Sequence, residues 1–200
     1  MLEIDLTKQP VYWATIEKNK DRHLKMESMF KNLNFENTHQ IDGEISNPYT
    51  VGIAQSHIDA LSNSLPLIVM EDDCSVTKNW TSTISIPEGT DAVYLGTSWF
   101  GMIRDVSTYR GCISSIYDNN FNKIYNMLGI HSVLYISERY KDHVIKTLKD
   151  FQQNPGTRGC DEPIALTMKN FNILALKNPL FYQEDGHSDQ ETITPLHPLF

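Results

Sequence analysis

The chain has 200 residues and a formal net charge of -8, a length that suits one domain able to bury about 70% of its unfolded surface without staples. Hydrophobic residues make up 40%, aromatics 10% and charged residues 21%, which excludes a disordered or low-complexity chain. Lys and Arg are scattered, so the phosphate backbone of a nucleic acid is a poor partner, although a metal-bound phosphate is compatible with this charge. No stretch approaches the roughly 20 apolar residues of a membrane span, and MLEIDLTKQP lacks the regions of a signal peptide. A soluble, cytoplasmic protein with no transmembrane segment is expected.

In chain order, Val11 to Ile16 (VYWATI) is β-branched and aromatic and reads as a first strand, ended by EKNKDR. Met26, Met29, Phe30 and Leu33 then form one apolar stripe at helical spacing, with Asp21 near the start where an acid suits the helix dipole. Thr38 to Ile41 gives a short strand into the turn Asp42-Gly43. Ile53, His57, Ala60 and Leu61 share a face of a second helix, after which LPLIVM reads as a buried strand.

Asp91 to Gly96 (DAVYLG) is a further strand. Residues 97 to 129 show no clean period but carry Trp99, Phe100, Tyr109, Tyr117, Phe121 and Tyr125, and long aromatic connections are often functional. His131 to Ser137 resumes strand character, and Tyr140, Val144, Leu148 and Phe151 mark another helix, broken by QQNPGTRG. Asp161, a natural N-cap, precedes a short helix with Pro163 in its first turn, and Ile173 to Leu176 reads as a last strand before a polar tail.

Continuous apolar runs alternating with amphipathic helices imply an α/β fold: one domain with a mostly parallel central sheet flanked by helices. Cys74, Cys112 and Cys160 are odd in number and widely spaced, so neither a disulfide framework nor a zinc site is indicated.

The stretch LPLIVMEDDCSVTK poses a chemical question, because an apolar strand ends in three adjacent acids. Two carboxylates about 4 Å apart repel by roughly 4 kcal/mol at an effective dielectric of about 20, so something positive should sit there. The Gly-rich loops of dinucleotide and P-loop sites, H-E-x-x-H and G-x-S-x-G are all missing. What remains is Glu71-Asp72-Asp73 at the carboxyl end of a strand, where open α/β sheets place their ligands. Carboxylate oxygens there select Mg²⁺ or Mn²⁺, which keep positions open for substrate phosphates.

The order of motifs resembles the GT-A glycosyltransferases of family 25, the lipopolysaccharide galactosyltransferase type. The segments concerned are NKDR at 19 to 22, Asp42-Gly43, GIAQSH at 52 to 57, the strand into E-D-D at 67 to 73, DAVYLG at 91 to 96, Asp161, and Gln183 to Asp189. The match spans about residues 11 to 189, and the short chain is closer in size to compact viral-type members. The resemblance implies one Rossmann-like GT-A domain, with a donor-binding half over about 10 to 96 and an acceptor side with a metal-closing segment over about 97 to 190. It implies transfer of a sugar from a nucleotide diphosphate, UDP-linked, to a glycan hydroxyl with Mn²⁺ or Mg²⁺ as cofactor.

Under that resemblance Asp73 binds the metal, Glu71 and Asp72 face the ribose and metal-bound water, and Asp42 belongs to the nucleotide site. Thr15 meets the uracil or ribose, Arg22 the nucleotide or its phosphates, and Ser56 with His57 either touch the nucleotide or form a satisfied helix pair. His187, or else Asp189, returns to the metal, and imidazole suits Mn²⁺. Asp161 serves as the base that takes the acceptor proton, a role compatible with capping a helix. Aromatics between 97 and 129 line the acceptor or belong to the core. Two rivals stand beside this reading: a nucleotidyltransferase, which would want a glycine in EKNKDR to hold a triphosphate, and an inactive sugar-binding module of the same fold.

Overall fold

A computed structural model describes residues 1–16, 18–98, 100–102, 109–155 and 159–184. His187, Asp189 and Trp99 lie outside the described residues. In chain order the elements are β1 (Leu2–Asp5), β2 (Val11–Thr15), α1 (Lys20–Asn32), β3 (Thr38–Asp42), α2 (Tyr49–Leu61), β4 (Leu67–Glu71), β5 (Cys74–Val76), β6 (Thr83–Ile86) and β7 (Ala92–Tyr94). They continue with β8 (Phe100–Met102), β9 (Tyr109–Gly111), β10 (Ile113–Ile116), β11 (Phe121–Asn126), β12 (Ser132–Tyr135), α3 (Glu138–Gln153), α4 (Asp161–Thr167), β13 (Ile173–Leu176) and β14 (Phe181–Gln183).

Eight strands form the main sheet in the order β10-β11-β13-β7-β12-β4-β2-β3. The fold is mixed α/β, but the sheet is not mostly parallel. Only β2 with β3, β2 with β4 and β7 with β13 are parallel, while β12 runs against both β4 and β7, and β11 runs against both β10 and β13. A strand buried on both faces reads as an apolar run whichever way its neighbours point, so the run SVLY carried no sign of its reversal. The β10–β11 hairpin turns at Asp118, whose Oδ1 accepts from the backbone N–H of Asn120 and Phe121, an Asx-type turn.

Alternate residues of β4 pack on opposite layers. Leu67 and Val69 meet Ala54, Ile58 and Leu61 of α2 and Val144 and Leu148 of α3. Ile68 and Met70 meet Met26, Met29 and Phe30 of α1, together with Ile4 of β1 and Ile86 of β6. The β1–β6 ribbon is antiparallel and completes that second layer. Of the aromatics between 97 and 129, Phe121 is in this core and Tyr117 is exposed.

The strands β2, β3 and β4 share one direction, and their order places β2 between the other two. The chain leaves β2 toward β3 through α1 and returns past β2 to β4 through α2. Connections that depart to opposite sides open a crevice at the carboxyl ends of such strands. Glu71 closes β4 at that edge, and Asp72 and Asp73 follow it.

Candidate functional site

The crevice is a cleft of about 310 Å³ between the carboxyl ends of β2 and β4, the start of α1 and the amino half of α2. Thr15, Asn19, Arg22, Ser56, His57, Glu71, Asp72, Asp73 and Gln183 all line it. Seven of the sequence candidates therefore meet in one place: Thr15, Arg22, Ser56, His57, Glu71, Asp72 and Asp73.

The three acids are not equivalent. Asp72 accepts from Thr15 Oγ1 at 2.7 Å, from Asn19 Nδ2 at 3.4 Å and from an Arg22 guanidinium nitrogen at 2.9 Å. Its negative charge is matched by the chain itself, so Arg22 and Asp72 form a pair rather than two separate ligand contacts. Glu71 has His57 Nε2 at 3.5 Å and Gln183 Nε2 at 3.3 Å. Burial works against its ionisation, but contact with His57 and the fields of His57, His131 and Arg22 hold its carboxyl below the ordinary glutamate range.

Asp73 has the least support. Gln183 Nε2 donates to its Oδ2 at 2.9 Å, while its Oδ1 is buried with no hydrogen-bond partner. Burial, followed by the neighbouring Glu71, pushes its pKa up to about 7. An orphaned buried carboxylate oxygen costs free energy unless a proton or a cation meets it.

The motif GIAQSH has a local explanation. A Cβ on Gly52 would lie 2.1 Å from the carbonyl oxygen of Glu44, so only glycine lets the loop before α2 close onto the helix. Gly52 N–H donates to Ser46 Oγ at 2.6 Å, and Ser56 Oγ donates to the Gly52 carbonyl at 3.1 Å. Ser56 thus lines the cleft with its hydroxyl already bonded within α2. One residue on, His57 is 2% exposed and reaches Glu71, its Nδ1 having no partner.

The remaining candidates fall elsewhere. Asp42 is exposed at the end of β3, takes a hydrogen bond from Gln40 Nε2 at 2.8 Å and does not line the cleft. Asp161 is not the N-cap: that position belongs to Cys160, and Asp161 is the first residue of α4. Its Oδ2 instead accepts the Gly129 N–H at 2.7 Å, and burial raises its pKa. It does not line the cleft, although the charges of Glu71 and His57 act on it.

Two contributors escaped the residue-by-residue reading. Gln183 comes from β14, which pairs antiparallel with β5, and bridges Glu71 and Asp73 from 110 residues beyond Asp73. It is held there by its neighbour Glu184, whose carboxylate meets Lys25 Nζ at 2.6 Å and Ser75 Oγ at 2.5 Å, and whose N–H donates to the Asp73 carbonyl. His131 is buried beside Gly96, where a Cβ would lie 2.2 Å from its Nε2, and its carbonyl accepts the Glu71 N–H. Gln183 opens one of the motif segments and His131 one of the strands, but the role of each rests on a contact distant in sequence that no local pattern shows.

Among the described residues no group of three or more His, Cys, Asp or Glu side chains is arranged to hold a metal ion. A cation at Asp73 Oδ1 nonetheless fits the chemistry of that atom, and a hard cation commonly fills the rest of its sphere with water and substrate phosphate. No helix among the described residues is long and apolar enough to cross a membrane. No known protein family matches the chain, and none of the curated proteins matches it.

Proposed function

We propose that this protein is a metal-dependent glycosyltransferase that moves a sugar from a nucleotide diphosphate, UDP-linked, to a glycan hydroxyl. The observation that carries the reading is Asp73: a half-buried carboxylate with one buried oxygen unpartnered, set in a cleft at the carboxyl edge of parallel strands beside Asp72, whose charge Arg22 matches, and Glu71, which His57 and Gln183 contact. Asp73 Oδ1 would hold Mn²⁺ or Mg²⁺, with His187 as the second side chain brought to it. When bound, the cation neutralises the diphosphate leaving group as the glycosidic C–O bond breaks.

The chain's own residues divide the remaining work. Arg22 and Thr15 fix Asp72 at the mouth of β2 and so hold the metal-binding acid next to it in one geometry. Gln183 donates to Glu71 Oε2 and Asp73 Oδ2, which leaves Asp73 Oδ1 for the ion. Asp161, although outside the lining of the cleft, is the residue we assign as the base that takes the acceptor proton. Its raised pKa, caused by burial, brings it nearer the pH at which a base is most effective.

Titration calorimetry with UDP tests the reading. UDP should bind only with Mn²⁺ or Mg²⁺ present, and Asp73→Ala should remove that binding without loss of the folded state. Equal UDP affinity in the parent and in Asp73→Ala would refute the assignment. Asp161→Asn should keep metal-dependent UDP binding while transfer falls by about 10²- to 10⁴-fold.

A further inference from the structure

We infer that Ile45, Tyr49 and Ile53 form an apolar shelf that receives the planar base of the nucleotide. This rests on the donor reading above and adds to it a named base-holding wall. Large apolar side chains left in water are informative when they gather in a concave place. Ile45 is 79% exposed, Tyr49 37% and Ile53 36%, and all three line the cleft. Tyr49 and Ile53 stand four residues apart on α2, so they share one face of the helix.

The shelf is built in advance of any ligand. Ile45 sits in the loop drawn onto α2 at Gly52, where the Glu44 carbonyl approaches the helix too closely for any side chain. The Ser46 hydroxyl bonds to the Gly52 N–H and to the Pro48 carbonyl, which ties the loop at a second point. A surface fixed in this way loses little freedom when a ligand settles on it.

The rest of the lining is mostly of another kind, with Thr15, Asn19, Arg22 and the acids facing the same space beside Ala14 and Ile16. A ligand that meets both kinds of lining must be flat and apolar at one end and able to meet a metal-bearing carboxylate at the other. A sugar ring carries hydroxyls around its rim, and two isoleucines offer those hydroxyls nothing. A nucleobase has apolar faces and an aromatic ring to stack on tyrosine, and its diphosphate supplies the second end.

The test compares two probes by calorimetry on the full chain in Mn²⁺: UDP, which has a base, and inorganic pyrophosphate, which has none. Tyr49→Ala and Ile53→Ser change exposed side chains, so both should fold, as circular dichroism would check. Tyr49→Ala should weaken UDP about tenfold, the size of a lost base–aromatic stack, and leave pyrophosphate within about twofold of the parent. Tyr49→Phe should bind UDP like the parent. UDP affinity unchanged in both Tyr49→Ala and Ile53→Ser, or an equal loss for UDP and pyrophosphate, would overturn the shelf. If the parent binds pyrophosphate as tightly as UDP, the shelf fails while the metal–diphosphate site stands. If it binds neither, the donor reading fails and takes the shelf with it.

Discussion

Asp91 precedes β7 at the amino edge of the main sheet, and Asp73 follows β4 at the opposite, carboxyl edge. Both are poorly accessible acids, yet their surroundings differ. Arg139 grips both oxygens of Asp91, Ser137 Oγ donates at 2.5 Å and the Asn172 N–H donates at 2.6 Å. Burial there opposes the charge, but hydrogen bonds from Arg139, Ser137 and Asn172 outweigh it and hold the carboxyl below the ordinary aspartate range. Asp73 has one amide donor and a pKa pushed up to about 7 by burial and Glu71. The first acid ties three segments together; the second is left short of partners where a ligand can reach. Full pairing is what an acid that serves the fold requires, and incomplete pairing in a cleft is what our proposal uses to assign Asp73 to a ligand.

The sharpest way to break this contrast is to remove each acid in turn. Asp91→Ala should destabilise the protein by about 3 kcal/mol, since part-buried donors from Ser137, Asn172 and Arg139 lose a charged acceptor together. Urea unfolding would measure it. Asp73→Asn should unfold at the same urea concentration as the parent or a higher one at neutral pH, because it deletes a repulsive charge. A large loss of stability in Asp73→Asn would make Asp73 a structural acid after all.

The pH dependence should differ in sign. A group whose folded pKa is raised binds its proton more tightly in the folded state, so its contribution to stability falls as pH rises from the ordinary aspartate value of 3.8 to about 7. The slope from one such group is no steeper than about 1.4 kcal/mol per pH unit. Asp91 behaves the other way: its stabilisation is present above 3.8 and is lost as pH falls through its lower folded pKa. Subtracting the Asp73→Asn stability curve from the parent curve should therefore isolate a decline between about pH 4 and 7. A flat difference would show that Asp73 titrates normally.

A smaller effect is expected at Gln183. Gln183→Ala removes the amide that separates Glu71 from Asp73, so the Asp73 pKa should move further up and stability should fall by about 1 kcal/mol. Carboxyl NMR titration would see the first and urea unfolding the second. Smallest of all should be Lys25→Ala, which breaks a half-exposed ion pair with Glu184 and should cost no more than about 1 kcal/mol. Loss of metal-dependent UDP binding in Lys25→Ala would mean that Glu184 does more than hold Gln183 in place.

The helices and strands around the cleft were legible because their apolar spacing is clean. Met26, Met29 and Phe30 do face the core, and Leu67 to Glu71 does end at the cleft. Strand direction was not legible at Ser132 to Tyr135, where every residue is buried and no alternation records a face. Glu71, Asp72 and Asp73 could be singled out together because three acids after an apolar run conflict with burial. Which of them is already satisfied depends on Thr15, Arg22 and Gln183, partners that no local pattern connects to them. Asp161 shows the limit at helix ends: one residue's shift put Cys160 at the cap and sent the carboxylate to Gly129 instead.

The distance along the chain between Asp73 and Gln183 has a consequence for biosynthesis. A polypeptide made from its amino end has all three acids outside the ribosome while the amide that bridges two of them is still 110 residues away. Until β14 pairs with β5, Glu71 and Asp73 repel without a mediator, and the amino-terminal half carries the acids of the cleft without its closing wall. Among the described strands the cleft is therefore finished by one of the last pairings to become possible, so a nascent chain carries the acids well before it carries the amide that bridges them.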